Sequence, residues 1–160
     1  MAFFVPTKVS KKADAVIAKF YETTDFLKEV VIISENLNAE TTADFSEENL
    51  FKITSEGKHL GYGYIGNAPS KTATFDYLVL FDPEFIITKS KVLIYREEYG
   101  GEISSKRWLR QFIGASPNEQ FTYNQDIIPI SGATISVQSM TRSMNSLLKS
   151  ITILKENNQL

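Results

Sequence analysis

The sequence contains no cysteine and a single histidine, His59, among its 160 residues. Without cysteine the chain has no disulfides, no thiolate nucleophile, no iron–sulfur cluster and no Cys/His zinc site. One histidine is also too few for a metal site with two imidazole ligands, so we expect no metal. The side chains of this protein therefore supply little reactive chemistry of their own.

Strong charge and long apolar runs are also absent. Lys and Arg total 17 and Asp and Glu total 19, for a net charge of −2, which gives no overall field for binding nucleic acid. Apolar runs such as residues 30–33 are too short to cross a membrane. Residues 1–6 lack the basic start of a signal peptide, and they fit a native cytosolic start and the remnant of a trimmed leader equally well.

The pattern of apolar residues predicts one α+β domain. Ser10 is a candidate cap for a first helix, residues 26–33 fit a strand or a continued helix, and a short helix is expected within 36–49, entered through residues 44–47. Turn residues between apolar runs indicate antiparallel strands at 50–54, 60–65, 74–81 and 85–95. Ser104 is placed to cap a helix that ends near Gly114, and a last long helix is expected from about Ser136. We therefore predict an antiparallel sheet of about four to six strands, flanked by N-terminal and C-terminal helices.

Residues 61–66 match the glycine pattern of dinucleotide-binding proteins, G-x-G-x-x-G. The pattern binds a pyrophosphate only where its third glycine opens a helix. Here residues 67–70 are typical of a turn, and the two tyrosines between the glycines alternate as they do in a strand. We predict a strand whose glycines lie where another backbone or a flat ligand approaches closely.

Small and hydroxyl-bearing residues precede the last helix, in the run Ser131-Gly132-Ala133-Thr134-Ile135-Ser136. A helix start offers unpaired backbone N–H groups and a positive dipole end, which suit a phosphate group. Gly132 would allow a close approach, and the hydroxyls would donate hydrogen bonds. On physical grounds alone, a serine-rich helix cap with no further role explains the same residues.

This run resembles the signature of the FMN-binding domain, which occurs in the C and G subunits of Na+-translocating NADH:quinone reductase and Rnf complexes and in stand-alone extracytoplasmic proteins. The resemblance extends from about Phe51 to Leu148. It includes the strands 75–82 and 91–96, the glycine-containing segment 97–103 and the helix 107–112.

The resemblance implies that Thr134 is the attachment point of FMN. In the family a separate flavin transferase, with FAD as donor, joins FMN to this hydroxyl through a phosphoester. The common form of the signature has an aspartate six residues before the threonine, where this chain has Ile128, and the nearest acid is Asp126. Non-covalent FMN binding is therefore the alternative to the phosphoester.

The resemblance also places a glycine-containing turn against the flavin ring. The implied cofactor-binding residues are Thr134, Ser131, Gly132, Ala133, Ser136, Tyr99, Gly100, Gly101, Glu102 and Trp108. A plain turn explains Gly100 and Gly101 as well, and packing in the core is the alternative for Trp108.

From the resemblance we expect a single FMN-binding domain over residues 1–160, with a helical or irregular lead-in over 1–49 and a core over 50–155. Its expected function is that of an electron carrier that turns over no substrate by itself, because bound flavin supplies the redox chemistry. We also expect a periplasmic or other extracytoplasmic location. The expected partners are membrane redox proteins and a flavin transferase, and nucleic acid is not expected as a partner. The alternatives are a ligand-binding module that keeps the fold without the flavin, and an interaction protein.

Overall fold

The computed structural model describes residues 5–45 and 48–160. Its helices are α1 (Thr7–Tyr21), α2 (Glu35–Glu40), α3 (Lys106–Leu109) and α4 (Thr134–Glu156), with 3-10 turns at Gly101–Ser104 and Arg110–Phe112. Its strands are β1 (Leu27–Val30), β2 (Leu50–Ser55), β3 (Lys58–Pro69), β4 (Thr74–Phe81) and β5 (Ile87–Ile94). The five strands form one antiparallel sheet in the order β1-β2-β3-β4-β5, which confirms the predicted α+β class.

Helices cover both faces of this sheet. On one face, Ile17 of α1 packs with Leu78 and Leu80 of β4, and on the other, Met140 of α4 packs with Val79. Because successive side chains of a strand point to opposite faces, β4 must be apolar on both, and all its residues after Thr74 are buried. This double burial explains why residues 77–81 form a continuous apolar run rather than an alternating one, whereas Asp76, also buried, pairs with Arg96.

The glycines of residues 61–66 lie in β3, as predicted, and no helix follows them. A Cβ on Gly63 would lie 2.6 Å from Cζ of the Phe51 ring, and one on Gly66 would overlap the Tyr77 ring. The side chains of two neighbouring strands thus occupy the space that glycine leaves. The groups that approach Gly63 and Gly66 are aromatic rings of the protein itself, whereas Gly61 lies against the backbone oxygen of Phe81.

Several predicted element ends are wrong. The first helix begins at Thr7 rather than at Ser10. Pro6 occupies the cap position with an extended backbone, and the helix starts directly after it without a side-chain cap. Ser105, not Ser104, caps α3, which ends at Leu109 and continues as a 3-10 turn. The short helix α2 covers Glu35–Glu40 with Ser34 as its cap, so it ends before the predicted entry at 44–47, of which residues 46 and 47 lie outside the described part.

Residues 26–33, which fitted a strand or a helix, contain the edge strand β1, and its pairing with β2 adds it to the sheet. None of the helices in the described ranges has both the length and the apolar character needed to cross a membrane. Within residues 5–45 and 48–160, no cluster of three or more His, Asp or Glu side chains could hold a metal ion.

Candidate functional site

Two segments that are distant in sequence meet at the start of α4. Gly100 has a left-handed backbone (φ +79°), and a Cβ there would overlap Cβ of Ala133 and lie 3.0 Å from its Cα. On the other side of the same contact, Gly132 (φ +82°) lies against Tyr99. Only glycine at position 100 lets the two backbones pack this closely. The two segments proposed from sequence to bind one cofactor are therefore neighbours.

The N-terminus of α4 has no side-chain cap. Ala133 occupies the cap position, its backbone oxygen accepts the first intrahelical bond from Val137 N–H (2.9 Å), and no capping side-chain bond is found there in the described chain. The N–H groups of the first three helical residues, Thr134, Ile135 and Ser136, have no intrahelical acceptor by the geometry of an α-helix. The serines of this run therefore do not explain the helix start as a cap.

A cavity of about 270 Å³ opens at this helix start. Its walls come from four parts of the chain: the β3–β4 turn, the residues after β5, the Tyr99 segment and the first turn of α4. The lining residues are Lys71, Tyr95, Glu97, Tyr99, Gly132, Ala133, Thr134, Ile135 and Ser136. Thr134 is exposed there, so its hydroxyl is accessible from solvent.

Tyr95 connects the walls of the cavity. Its hydroxyl donates to the backbone oxygen of Tyr99 (3.2 Å) and lies 3.0 Å from the hydroxyl of Ser136, a residue that is 2% exposed. With the Tyr95 proton directed to the Tyr99 oxygen, the Ser136 hydroxyl is the donor in the second bond. These two bonds fix the end of β5, the Tyr99 segment and the first turn of α4 relative to one another.

Glu97 organises the wall opposite α4. Its carboxylate accepts hydrogen bonds from the Ser70 hydroxyl, the Thr72 N–H (2.9 Å) and the Thr72 hydroxyl (2.8 Å). The hydrogen bond from Ser70, followed by those from Thr72, lowers the pKa of Glu97 to about 2. The carboxylate thus remains ionised and holds the β3–β4 turn, which carries Lys71, at the edge of the cavity.

Sequence reasoning missed Lys71, Tyr95 and Glu97 as cavity residues. Their positions depend on the pairing of β3, β4 and β5, which brings the β3–β4 turn beside the chain that leaves β5. A local signal existed only for Tyr95, which ends a predicted strand next to the glycine-containing segment. No sequence signal linked Glu97 to Ser70 across 27 residues.

The remaining sequence-predicted residues are not among those that line the cavity. Trp108 is 6% exposed, donates from its indole N–H to the Ile128 backbone oxygen (2.8 Å) and packs edge-on against Phe112. Ser131, Gly101 and Glu102 are exposed near the two facing segments. The Trp108 bond fixes the backbone at residue 128, a few residues before the helix start.

The comparisons with known proteins point to one family. The family model described as "FMN-binding domain" matches residues 72–149, from the β3–β4 turn into α4. No curated protein matches the chain. The matched range contains every cofactor-binding residue that the sequence resemblance implied, and every cavity residue except Lys71.

The cavity has the chemistry that the two ends of FMN require. Backbone N–H groups at the α4 start, with the lysine at the cavity edge, suit the phosphate group. Tyr99 is 75% exposed and Ile135 is 45% exposed, so apolar surface suited to a flat ring lies beside the polar helix start. The uncapped helix start and the exposed apolar surface fit the cofactor that the family model names. Residues 72–149 thus match the FMN-binding domain family, and this match indicates FMN as the cofactor.

Proposed function

We propose that this protein is an electron carrier whose FMN is joined to Thr134 through a phosphoester. The observation that carries the proposal is the position of Thr134: its exposed hydroxyl lies in the first turn of α4, at a helix start that no side chain caps. A phosphate esterified to this oxygen would remain beside the unpaired N–H groups of the same turn. Bound FMN accepts and donates electrons, a chemistry that the side chains of this chain lack.

Attachment requires a donor and a leaving group. With FAD as donor, the Thr134 oxygen attacks the phosphorus of the FMN half, an O–P bond forms, and the pyrophosphate bond breaks. AMP leaves and the hydroxyl proton is lost, so no oxidant or reductant is consumed. A separate flavin transferase would catalyse this step, because the cavity offers no histidine to take the proton.

The protein would act outside the cytoplasm and exchange electrons with membrane redox proteins. Support for this location comes from the resemblance of residues 131–136 to the redox-complex subunits. Nucleic acid is not expected as a partner of a chain with net charge −2.

The test is co-expression of the full chain with a flavin transferase, followed by denaturing electrophoresis and intact-mass measurement. We expect flavin fluorescence in the band and a mass increase of one esterified FMN. Thr134→Ala should abolish both, because it removes the attacking oxygen. Ser131→Ala is the matched control, since it removes an exposed hydroxyl from the same loop, and it should keep the label.

Three results would contradict the proposal. A labelled Thr134→Ala protein would move the attachment elsewhere, and label loss in Ser131→Ala alone would move it to Ser131. An unlabelled wild-type protein would exclude the covalent bond. Titration of the native protein with free FMN would then distinguish non-covalent binding from the module without flavin, and one-electron reduction of the bound flavin by a chemical reductant would test the carrier role.

A further inference from the structure

A second cavity, of about 540 Å³, lies away from the FMN site and collects four lysines. Lys19 comes from α1, Lys89 and Lys91 come from β5, and Lys106 begins α3. The two β5 lysines are separated by one residue, so they point to the same face of the sheet, the face that α1 covers. Three elements thus direct positive charge into one cleft, although the whole chain is slightly acidic.

The cleft also has an apolar wall. Its lining includes Val16 and Phe20 of α1 and Leu109 of α3, and the Phe20 side chain is 38% exposed. The ion pairs found in residues 5–45 and 48–160 are Lys28–Asp14 and Arg96–Asp76, and neither involves a lysine of this cleft. A volume of this size is typical of a small-molecule site, and its combination of apolar wall and unpaired cations is selective.

The four ammonium groups repel one another. Burial, followed by the charges of Lys106, Lys91 and Lys19, lowers the pKa of Lys89 below its usual value. Within residues 5–45 and 48–160, no acid is found to offset this repulsion at Lys89. An anion in the cleft would relieve the repulsion and would raise the pKa of Lys89 again.

We propose that this cleft binds a small organic anion that carries at least two negative charges on an apolar body. The lysines of α1, β5 and α3 contact the charged groups, and Val16, Phe20 and Leu109 contact the apolar part. A charged ligand without an apolar body would contact only the lysines. An apolar ligand without charge would leave the positive charge of the lysines uncompensated. The site does not depend on flavin, so it goes beyond the electron-carrier role.

The test uses naphthalene-1,5-disulfonate as the probe, with pyrophosphate and 1-naphthol as single-feature comparisons. Calorimetric titration of the full chain should give saturable binding of one disulfonate, weaker binding of pyrophosphate and none of naphthol. In lysine side-chain NMR, the disulfonate should raise the pKa of Lys89. Lys89→Gln/Lys91→Gln should weaken disulfonate binding about tenfold, because each removed charge contributes on the order of a factor of three.

Lys58→Gln/Lys155→Gln is the matched control. It removes two exposed lysines and the same net charge, at the β2–β3 turn and the end of α4, and neither lysine lines the cleft. It should bind the disulfonate as the wild type does. Equal weakening in both double variants would show general electrostatic attraction and overturn the proposal, as would tight naphthol binding or an unchanged pKa of Lys89. All four lysines are partly or fully exposed, so the variants should fold, and circular dichroism checks this.

Discussion

The helices α3 and α4 begin in opposite ways. At α3, the Ser105 hydroxyl accepts a hydrogen bond from the Trp108 N–H (3.1 Å), as in an ordinary N-cap. At α4, which is much longer, the cap position holds Ala133, and its side chain cannot accept a bond. The chain has a serine two residues before Ala133, so a cap was available to the sequence and is not used. Under the proposed function, the α4 start is free for the phosphate group of FMN.

The same contrast exists inside the FMN cavity. On one wall the Thr72 N–H donates to the Glu97 carboxylate, so the protein itself supplies the acceptor for this N–H of the β3–β4 turn. On the other wall the first residues of α4 line the cavity, and no side chain is found to cap their N–H groups. A carboxylate on the α4 side would compete with a phosphate for those groups, whereas on the β3–β4 side it only holds the turn.

Gly100→Ala should have the largest effect, because it disrupts the packing at the start of α4. The new Cβ would overlap Ala133, and the left-handed backbone disfavours any side chain, so we expect a loss of about 3 kcal/mol in the free energy of unfolding. FMN binding should fall as well, because the two facing segments must separate. Urea unfolding and FMN titration are the measurements.

Gly101→Ala is the control for this prediction. A Cβ on Gly101 meets no atom within 4 Å, and its backbone is not left-handed, so stability should not fall. If Gly101→Ala destabilised the protein as much as Gly100→Ala, the close packing on Ala133 would not be the cause.

Ser105→Ala should have an intermediate effect, and it distinguishes the capped start of α3 from the uncapped start of α4. Loss of the α3 cap should cost about 1 kcal/mol of stability, while FMN attachment at Thr134 stays intact. Ser131→Ala should cost much less, since Ser131 caps nothing and is exposed. Thermal unfolding of the two variants side by side measures the difference, and a larger loss in Ser131→Ala would mean that α4 is capped after all.

Glu97→Gln should have the smallest effect, and it tests the role of the carboxylate in one of the two cavity walls. The pKa of Glu97 in the folded protein, about 2, lies below its ordinary value of 4.5, so its carboxylate stabilises the fold above pH 4.5 and loses that contribution as the pH falls towards 2. Wild-type melting temperature should therefore fall more steeply over this range than that of Glu97→Gln. Glu98→Gln, which removes the neighbouring exposed carboxylate, should keep the wild-type slope; identical slopes in all three proteins would exclude the role of Glu97.

Sequence patterns predicted much of the framework because their causes are local. The apolar stripe of α4, the alternation around residues 61–66 and the turn residues between strands each act over a few positions. Residues 131–136 likewise carried the family resemblance, and the family model confirms it. Helix starts were less well predicted at α1 and α3, since several neighbouring serines or a proline can occupy a cap position and packing selects among them.

The sequence alone determined that redox chemistry in this protein must come from a bound group, because a chain with no cysteine and one histidine has little of its own. It also predicted a candidate phosphate site, since a glycine and hydroxyl run before a long helix is a local feature. Tertiary structure decided that Gly100 packs on Ala133, that Glu97 holds the β3–β4 turn, and that four lysines share one cleft. These contacts join residues far apart in sequence, and only the strand register and the packing of helices on the sheet bring them together.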